Sequence, residues 1–89
     1  MAFDVLWLAS AAKALEKLPK NEKTRMKQAL REVAIDPYKT GKPLHPSHYW
    51  STRTGDYRAI YTINQHQNQI TVLFVGHRKK VYDDFTKLL

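Results

Sequence analysis

Two alternating runs constrain this chain most: Tyr57–Ile63 (YRAIYTI) and Gln69–Gly76 (QITVLFVG), joined by the polar stretch Asn64–Asn68. Alternation with a period of two, broken by a short polar tip, specifies an antiparallel β-hairpin. Because successive side chains on a strand point to opposite faces, Tyr57 and Tyr61 share one face while Arg58 and Ile60 share the other. Ile70–Val75 (ITVLFV) is nearly apolar throughout and reads as a central strand covered on both sides. Arg58 stands at the start of the first run, and His77, Arg78, Lys79 and Lys80 follow the second directly. Cations held at strand ends are rigidly placed, which suits a phosphate better than cations on a flexible tail.

The rest of the chain supplies partners for this hairpin. Phe3–Leu8 reads as a short strand. Ser10 is a candidate N-cap for a helix to about Leu18, with Ala11, Ala14, Leu15 and Leu18 on one face. Pro19 separates it from a second helix over Asn21–Ile35 that turns Met26, Ala29, Leu30, Val33 and Ala34 inward. Asp36-Pro37 breaks that helix, and the stretch to His48, with Gly41, Pro43 and Pro46, reads as an irregular surface loop. Tyr49–Arg53 is a strand turned by Thr54-Gly55-Asp56. Lys80–Leu89 is a terminal helix with Val81, Phe85 and Leu88 as its apolar stripe. The order is β-α-α-β-β-β-α. It specifies an α+β fold, one domain over residues 1–89, in which a small twisted, mainly antiparallel sheet carries an N-terminal helical hairpin on one face.

Charge narrows the partners. The 89 residues carry a net charge of +7, and the basic residues cluster, which favours a polyanion such as RNA or DNA. There is no cysteine, so disulfides and thiolate metal sites are excluded. No metal-ligand spacing and no glycine-rich phosphate loop is present, so neither metal nor cofactor is expected. No apolar run approaches the roughly 20 residues of a membrane span, and a cytoplasmic location is expected.

Three segments together carry a family resemblance: LASAAKALEKLP near the start, RTGDYRAIY at Arg53–Tyr61, and ITVLFVGHRKKVY at Ile70–Tyr82. In order and spacing they resemble the RelE/ParE toxin superfamily of prokaryotic toxin–antitoxin systems. The resemblance implies a compact microbial-ribonuclease-like fold and a small acidic antitoxin as partner, with operator DNA reached only through that complex. RelE-like members cut messenger RNA on the ribosome, whereas ParE-like members poison DNA gyrase. The GHRKKVY ending leans to the RelE side, which implies the ribosome and mRNA as partners and a metal-independent endoribonuclease. On that side the arginine of the middle strand maps to Arg58, the arginine after the last strand to Arg78 and the late tyrosine to Tyr82. One departure stands out. The RelE pattern places two lysines on the strand before the arginine strand, and here HYWSTR has Tyr49 and Ser51 near those places. Weaker cleavage, a different base, or a non-enzymatic antitoxin-binding module all remain open readings.

Metal-free RNA cleavage uses the ribose 2′-hydroxyl as nucleophile, and it needs a base, cations on the phosphorus oxygens and an acid for the leaving oxygen. Arginine suits the cation role because its planar fork binds two phosphate oxygens. Arg58 and Arg78 are the candidate phosphate clamp. Histidine is the side-chain type whose unperturbed titration falls near neutral pH, and His77 joins them only if the chain bends after Gly76. Tyr82 is a candidate for stacking on a base or donating a proton, and His45 and His48 are candidate replacements for the missing lysine base. Arg53, Lys79 and Lys80 are candidate RNA contacts, as are Lys20, Lys23 and Lys27 on the helical hairpin, with Lys13 and Lys17 beside them.

Overall fold

The alternating segments pair as expected and form the middle of a five-stranded sheet in a computed structural model that describes residues 2–44 and 48–87, without the side chains of Tyr82, Asp84 and Phe85. The elements run β1 (Asp4–Trp7), α1 (Ala9–Glu16), α2 (Lys20–Ile35), α3 (Pro37–Thr40), β2 (Lys42–Pro43), β3 (Trp50–Thr54), β4 (Tyr57–Asn64), β5 (Gln69–His77) and α4 (Arg78–Thr86). The sheet order is β1-β5-β4-β3-β2. Only β1 is parallel to its neighbour, with Val5 opposite Ile70 and Trp7 opposite Val72. The protein is therefore an α+β fold with helices on both faces of a mixed sheet.

Each strand connection follows from local chemistry. Gly55 adopts φ +58 in the two-residue loop between the closing pair Thr54 and Tyr57, a conformation that glycine reaches without a Cβ penalty. Asn68 takes φ 52 at the tip of the β4–β5 hairpin, and asparagine is among the few other residues that tolerate the left-handed region. Between these turns the β4–β5 register holds Tyr57 opposite His77 and Arg58 opposite Gly76, then shifts at Ile60/Tyr61, so that Ile60 faces Phe74 while Tyr61 faces Val72. The bulge leaves Leu73 over. It lets Ile70, Val72 and Val75 all turn to one face although the last two are three residues apart.

That face meets α1 and α2. Ala11, Leu15, Met26, Leu30, Val33 and Ala34 close over Ala59, Tyr61, Ile70, Val72 and Val75, all buried. The other face carries a smaller cluster in which Val81 of α4 covers Ile60, with Leu44, Tyr49 and Phe74 at its margin. Towards β2 and β3 the same face carries Lys42, Ser51 and Arg53.

Four expectations need correction. Ser10 does not cap α1. The N-cap is Leu8, with extended backbone and no side-chain cap bond, and Ser10 lies inside the first turn. The strand Ile70–Val75 is interior but not the middle one, a place held by β4. Its outer face is only partly covered, Phe74 being half-buried. The segment 36–48 is not wholly irregular. The Asp36 side chain accepts from the Lys39 N–H to start α3, and Lys42–Pro43 adds an edge strand antiparallel to β3. Proline is tolerated there because an edge strand has one side that needs no ladder donor. Finally, α4 begins at Arg78 rather than Lys80.

Candidate functional site

The second face of the sheet gathers basic residues beside the α4 cluster. Arg53 of β3 and Arg58 of β4 are directly opposite each other, so their side chains share that face. Arg58 is half-buried, and its Nη1 donates to Ser51 Oγ at 2.9 Å. Ser51 is itself 1% exposed, so this charge-assisted bond fixes the guanidinium in one direction and contributes about 1.5–3 kcal/mol. Arg53 is exposed, and its Nε donates to the Gly55 carbonyl at 2.7 Å. A shallow cleft of about 250 Å³ runs past both, lined by Thr40, Lys42, Ser51, Thr52, Arg53 and Arg58. No carboxylate contributes to that described lining.

Gly76 is the partner of Arg58 across the β4–β5 ladder, and its backbone lines the groove beside α1. Among the described residues nothing lies within 4 Å of where a Gly76 Cβ would stand. Packing therefore does not demand glycine here. The bare backbone leaves room for a ligand to approach the sheet beside a fixed cation.

The remaining candidates fall in three places. Arg78 donates its backbone N–H to the Asp56 carbonyl at 2.8 Å. This extends the ladder one step beyond Tyr57 and His77 and sets Arg78 two residues along from the partner of Arg58, at the first position of α4. Lys79 is exposed on the same turn, and its N–H lies 3.4 Å from His77 Nδ1. The Tyr82 side chain and His45 lie outside the described residues; His48 is exposed just before β3.

His77 is not brought to the Arg58 face. It sits opposite Tyr57, with the two rings edge-to-face at 6.2 Å, on the side of the sheet that meets α1. There, with Lys13, Lys17 and Lys80, it lines a separate groove beside α1. The hairpin lysines divide further. Lys23 is engaged by Glu16 at 3.1 Å, Lys20 is exposed at the start of α2, and Lys27 lines a groove with Val5, Trp7 and Leu30 beneath β1. Sequence reasoning missed Lys42 and the role of Ser51. The register of β2 on β3 was the missing signal, and a two-residue strand has no period to reveal it.

The fold and cleft can now be set beside known proteins. Residues 5–82 match the family model described as the ParE toxin of type II toxin–antitoxin systems. This chain belongs to the RelE/ParE toxin superfamily. Toxin RelG of Mycobacterium tuberculosis is 29% identical over 85 residues, covering 92% of this chain and 98% of RelG. The toxin–antitoxin complex RelBE2 from the same organism is similar in structure, with a TM-score of 0.80, 27% identity, and coverage of 88% of this chain and 93% of that one. A double arginine-to-alanine mutant of Escherichia coli RelE in the free state aligns over 100% of this chain and 99% of its own, with a TM-score of 0.83 and 22% identity, a likeness of fold. The protein is thus a toxin of the type II toxin–antitoxin class.

Proposed function

We propose that this toxin is a metal-independent endoribonuclease that cuts messenger RNA on the ribosome. The observation that supports this reading is the pair of opposed arginines, Arg53 and Arg58, lining one cleft with Lys42 and Ser51. Two guanidinium forks on one face suit the oxygens of a phosphodiester. In the reaction the ribose 2′-oxygen attacks phosphorus and the bond to the 5′-oxygen breaks, leaving a 2′,3′-cyclic phosphate and a 5′-hydroxyl. Arg58, held by Ser51, and Arg53 neutralise the charge that grows on the non-bridging oxygens, with Arg78 closing from the start of α4. Tyr82 on α4, where the late tyrosine of the superfamily maps, takes the role of proton donor to the departing oxygen, and the proton of the 2′-hydroxyl passes to a general base. Its cellular partner is a small acidic antitoxin: two of the similar solved structures are complexes of a RelE toxin with a RelB antitoxin, and a net charge of +7 favours such a partner.

The test is induced expression with mapping of RNA ends. Wild type gives cuts phased with codons, and Arg58→Ala lowers cutting at least a hundredfold while the circular dichroism spectrum is unchanged. Uncut RNA with translation continuing refutes the reading. A second reading is favoured by the family match itself, whose model is that of ParE: a DNA gyrase poison. Supercoiling by purified gyrase in the presence of the toxin separates the two, because a poison traps cleaved DNA and leaves messenger RNA intact.

A further inference from the structure

We propose that Lys42 is the third phosphate-binding cation of this cleft, supplied from the edge strand β2 in place of the lysines that RelE-like chains carry on the next strand. The inference rests on the RNA-cleavage reading above and concerns the same site.

Register places it there. Lys42 pairs directly with Ser51, and directly opposed residues of an antiparallel pair stand on the same face. Ser51 in turn holds Arg58 through Oγ at 2.9 Å. The row through Lys42 and Ser51 continues to Ile60 of β4, and Arg58, two residues along β4 on the same face, reaches back diagonally to Ser51; Lys42, Ser51 and Arg58 all line one cleft with Arg53. Adjacent strands are about 4.8 Å apart, so the β2 and β4 backbones are separated by roughly 10 Å, with Arg58 offset from Lys42 by a further two-residue step. A lysine and an arginine on one face across that diagonal can close on one phosphate, since both carry their charge on long stems.

The arm that carries Lys42 is fixed rather than loose. Gly41 sits so tightly against the buried Tyr61 hydroxyl that a Cβ there would collide with it, and it lies against the Ser51 carbonyl as well. Asp36 caps the turn of α3 just before it, accepting from the Lys39 N–H at 3.3 Å. A two-residue strand of isolated sequence would fray; pinned at Gly41 and paired at Lys42, it presents its ammonium from a preorganised backbone. Ser51 explains the exchange of positions. A lysine at 51 could not occupy a site 1% exposed without a desolvated charge beside Arg58. In this chain position 51 serves as the anchor of an arginine, and the cation comes from the neighbouring strand.

The experiment measures equilibrium binding of a fluorescent single-stranded RNA, 2′-O-methylated throughout so that it cannot be cut, to the full chain across a salt series. Wild type, Arg58→Ala, Lys42→Gln, Lys42→Arg and Lys39→Gln are compared. Each phosphate contact contributes about 0.7 to the slope of log affinity against log salt for single strands. Lys42→Gln is expected to lower the slope by about 0.7 and weaken binding several-fold, Lys42→Arg to restore both, and Lys39→Gln, an exposed neighbour outside the cleft, to change neither. If Arg58→Ala weakens binding and Lys42→Gln does not, the proposal for Lys42 is overturned while the nuclease reading stands. Failure of Lys42→Arg to restore the slope also overturns it. If wild type shows no salt-dependent binding, or Arg58→Ala binds like wild type, the RNA reading fails and this proposal fails with it.

Discussion

Replacing Gly41 by alanine should destabilise this protein sharply, against the usual sign of such a change. The backbone at Gly41 is ordinary extended conformation, φ −92 and ψ 176, which alanine adopts without strain. On conformational grounds alone Gly→Ala stabilises by about 0.4–1 kcal/mol, because it restricts the unfolded chain. Space decides otherwise. The new methyl would overlap Tyr61 Oη far inside van der Waals contact, and would approach Tyr61 Cζ to 2.9 Å and the Ser51 carbonyl oxygen to 3.2 Å. Tyr61 cannot swing aside: it is 0% exposed, and its hydroxyl donates to the Pro37 carbonyl at 3.2 Å. Overpacking of this kind costs about 1–3 kcal/mol, occasionally more. We expect about 3 kcal/mol, with a fall in Tm of roughly 12–24 °C at about 4–8 °C per kcal/mol for a domain of this size. Urea unfolding of Gly41→Ala in the wild-type and Tyr61→Phe backgrounds isolates the contact. Tyr61→Phe removes the nearest atom, so alanine at 41 should cost at least about 1 kcal/mol less there. A cost below about 0.5 kcal/mol, or an equal cost in both backgrounds, would refute the reasoning.

Other outcomes follow from the same geometry. Gly76→Val fills space that no described residue occupies within 4 Å, so stability should hold or rise by up to about 1 kcal/mol while RNA cleavage falls at least tenfold, read by unfolding and by primer extension. Ser51→Ala removes the acceptor of Arg58 Nη1 and should cost about 1–3 kcal/mol in urea denaturation, with cleavage reduced but not abolished. Burial raises the pKa of Tyr61 well above its ordinary value of 10.0. The folded state then keeps a proton that the unfolded chain loses, so stability is constant below the ordinary tyrosine value and falls by about 1.4 kcal/mol per pH unit above it. Tyr61→Phe should flatten that alkaline decline, and equal slopes for the two proteins between pH 9 and 11 would contradict it.

The hairpin of β4 and β5 was legible because its alternation, its polar tip and the glycine turn before it all point to one structure, and the helices because Met26, Leu30 and Val33 keep helical spacing. What escaped was non-local. The bulge at Leu73 is invisible in a run as uniformly apolar as ITVLFV, where every register looks acceptable. The strand at Lys42–Pro43 follows a glycine and contains a proline, residues that locally signal a loop, and it exists because Ser51 and Trp50 offer it a ladder. Ser10 illustrates the opposite error. A good capping residue lies two positions inside the helix, since the parallel docking of β1 fixes where the chain must turn, with the Leu8 N–H bonded to the Val72 carbonyl. At the site, Arg58 was picked from its place on the middle strand and Arg78 from its place after the last strand, and the register sets both at the same end of the sheet. His77 was picked as a further member of that site, and its pairing with Tyr57 puts it on the α1 side instead. Arg53 was foreseen as an RNA contact, but its position opposite Arg58 required the turn length as well as the pattern.

The first strand of this sheet completes itself only against the fifth, Asp4 meeting Gln69 across the parallel ladder. Synthesis runs from one end to the other, so β1 leaves the ribosome long before the segment that will shelter it exists. Closure of so distant a pair is slow. The β3–β4 hairpin that carries Arg53 and Arg58 can close on local contacts, whereas the edge formed by β1 must wait for β5 to be made.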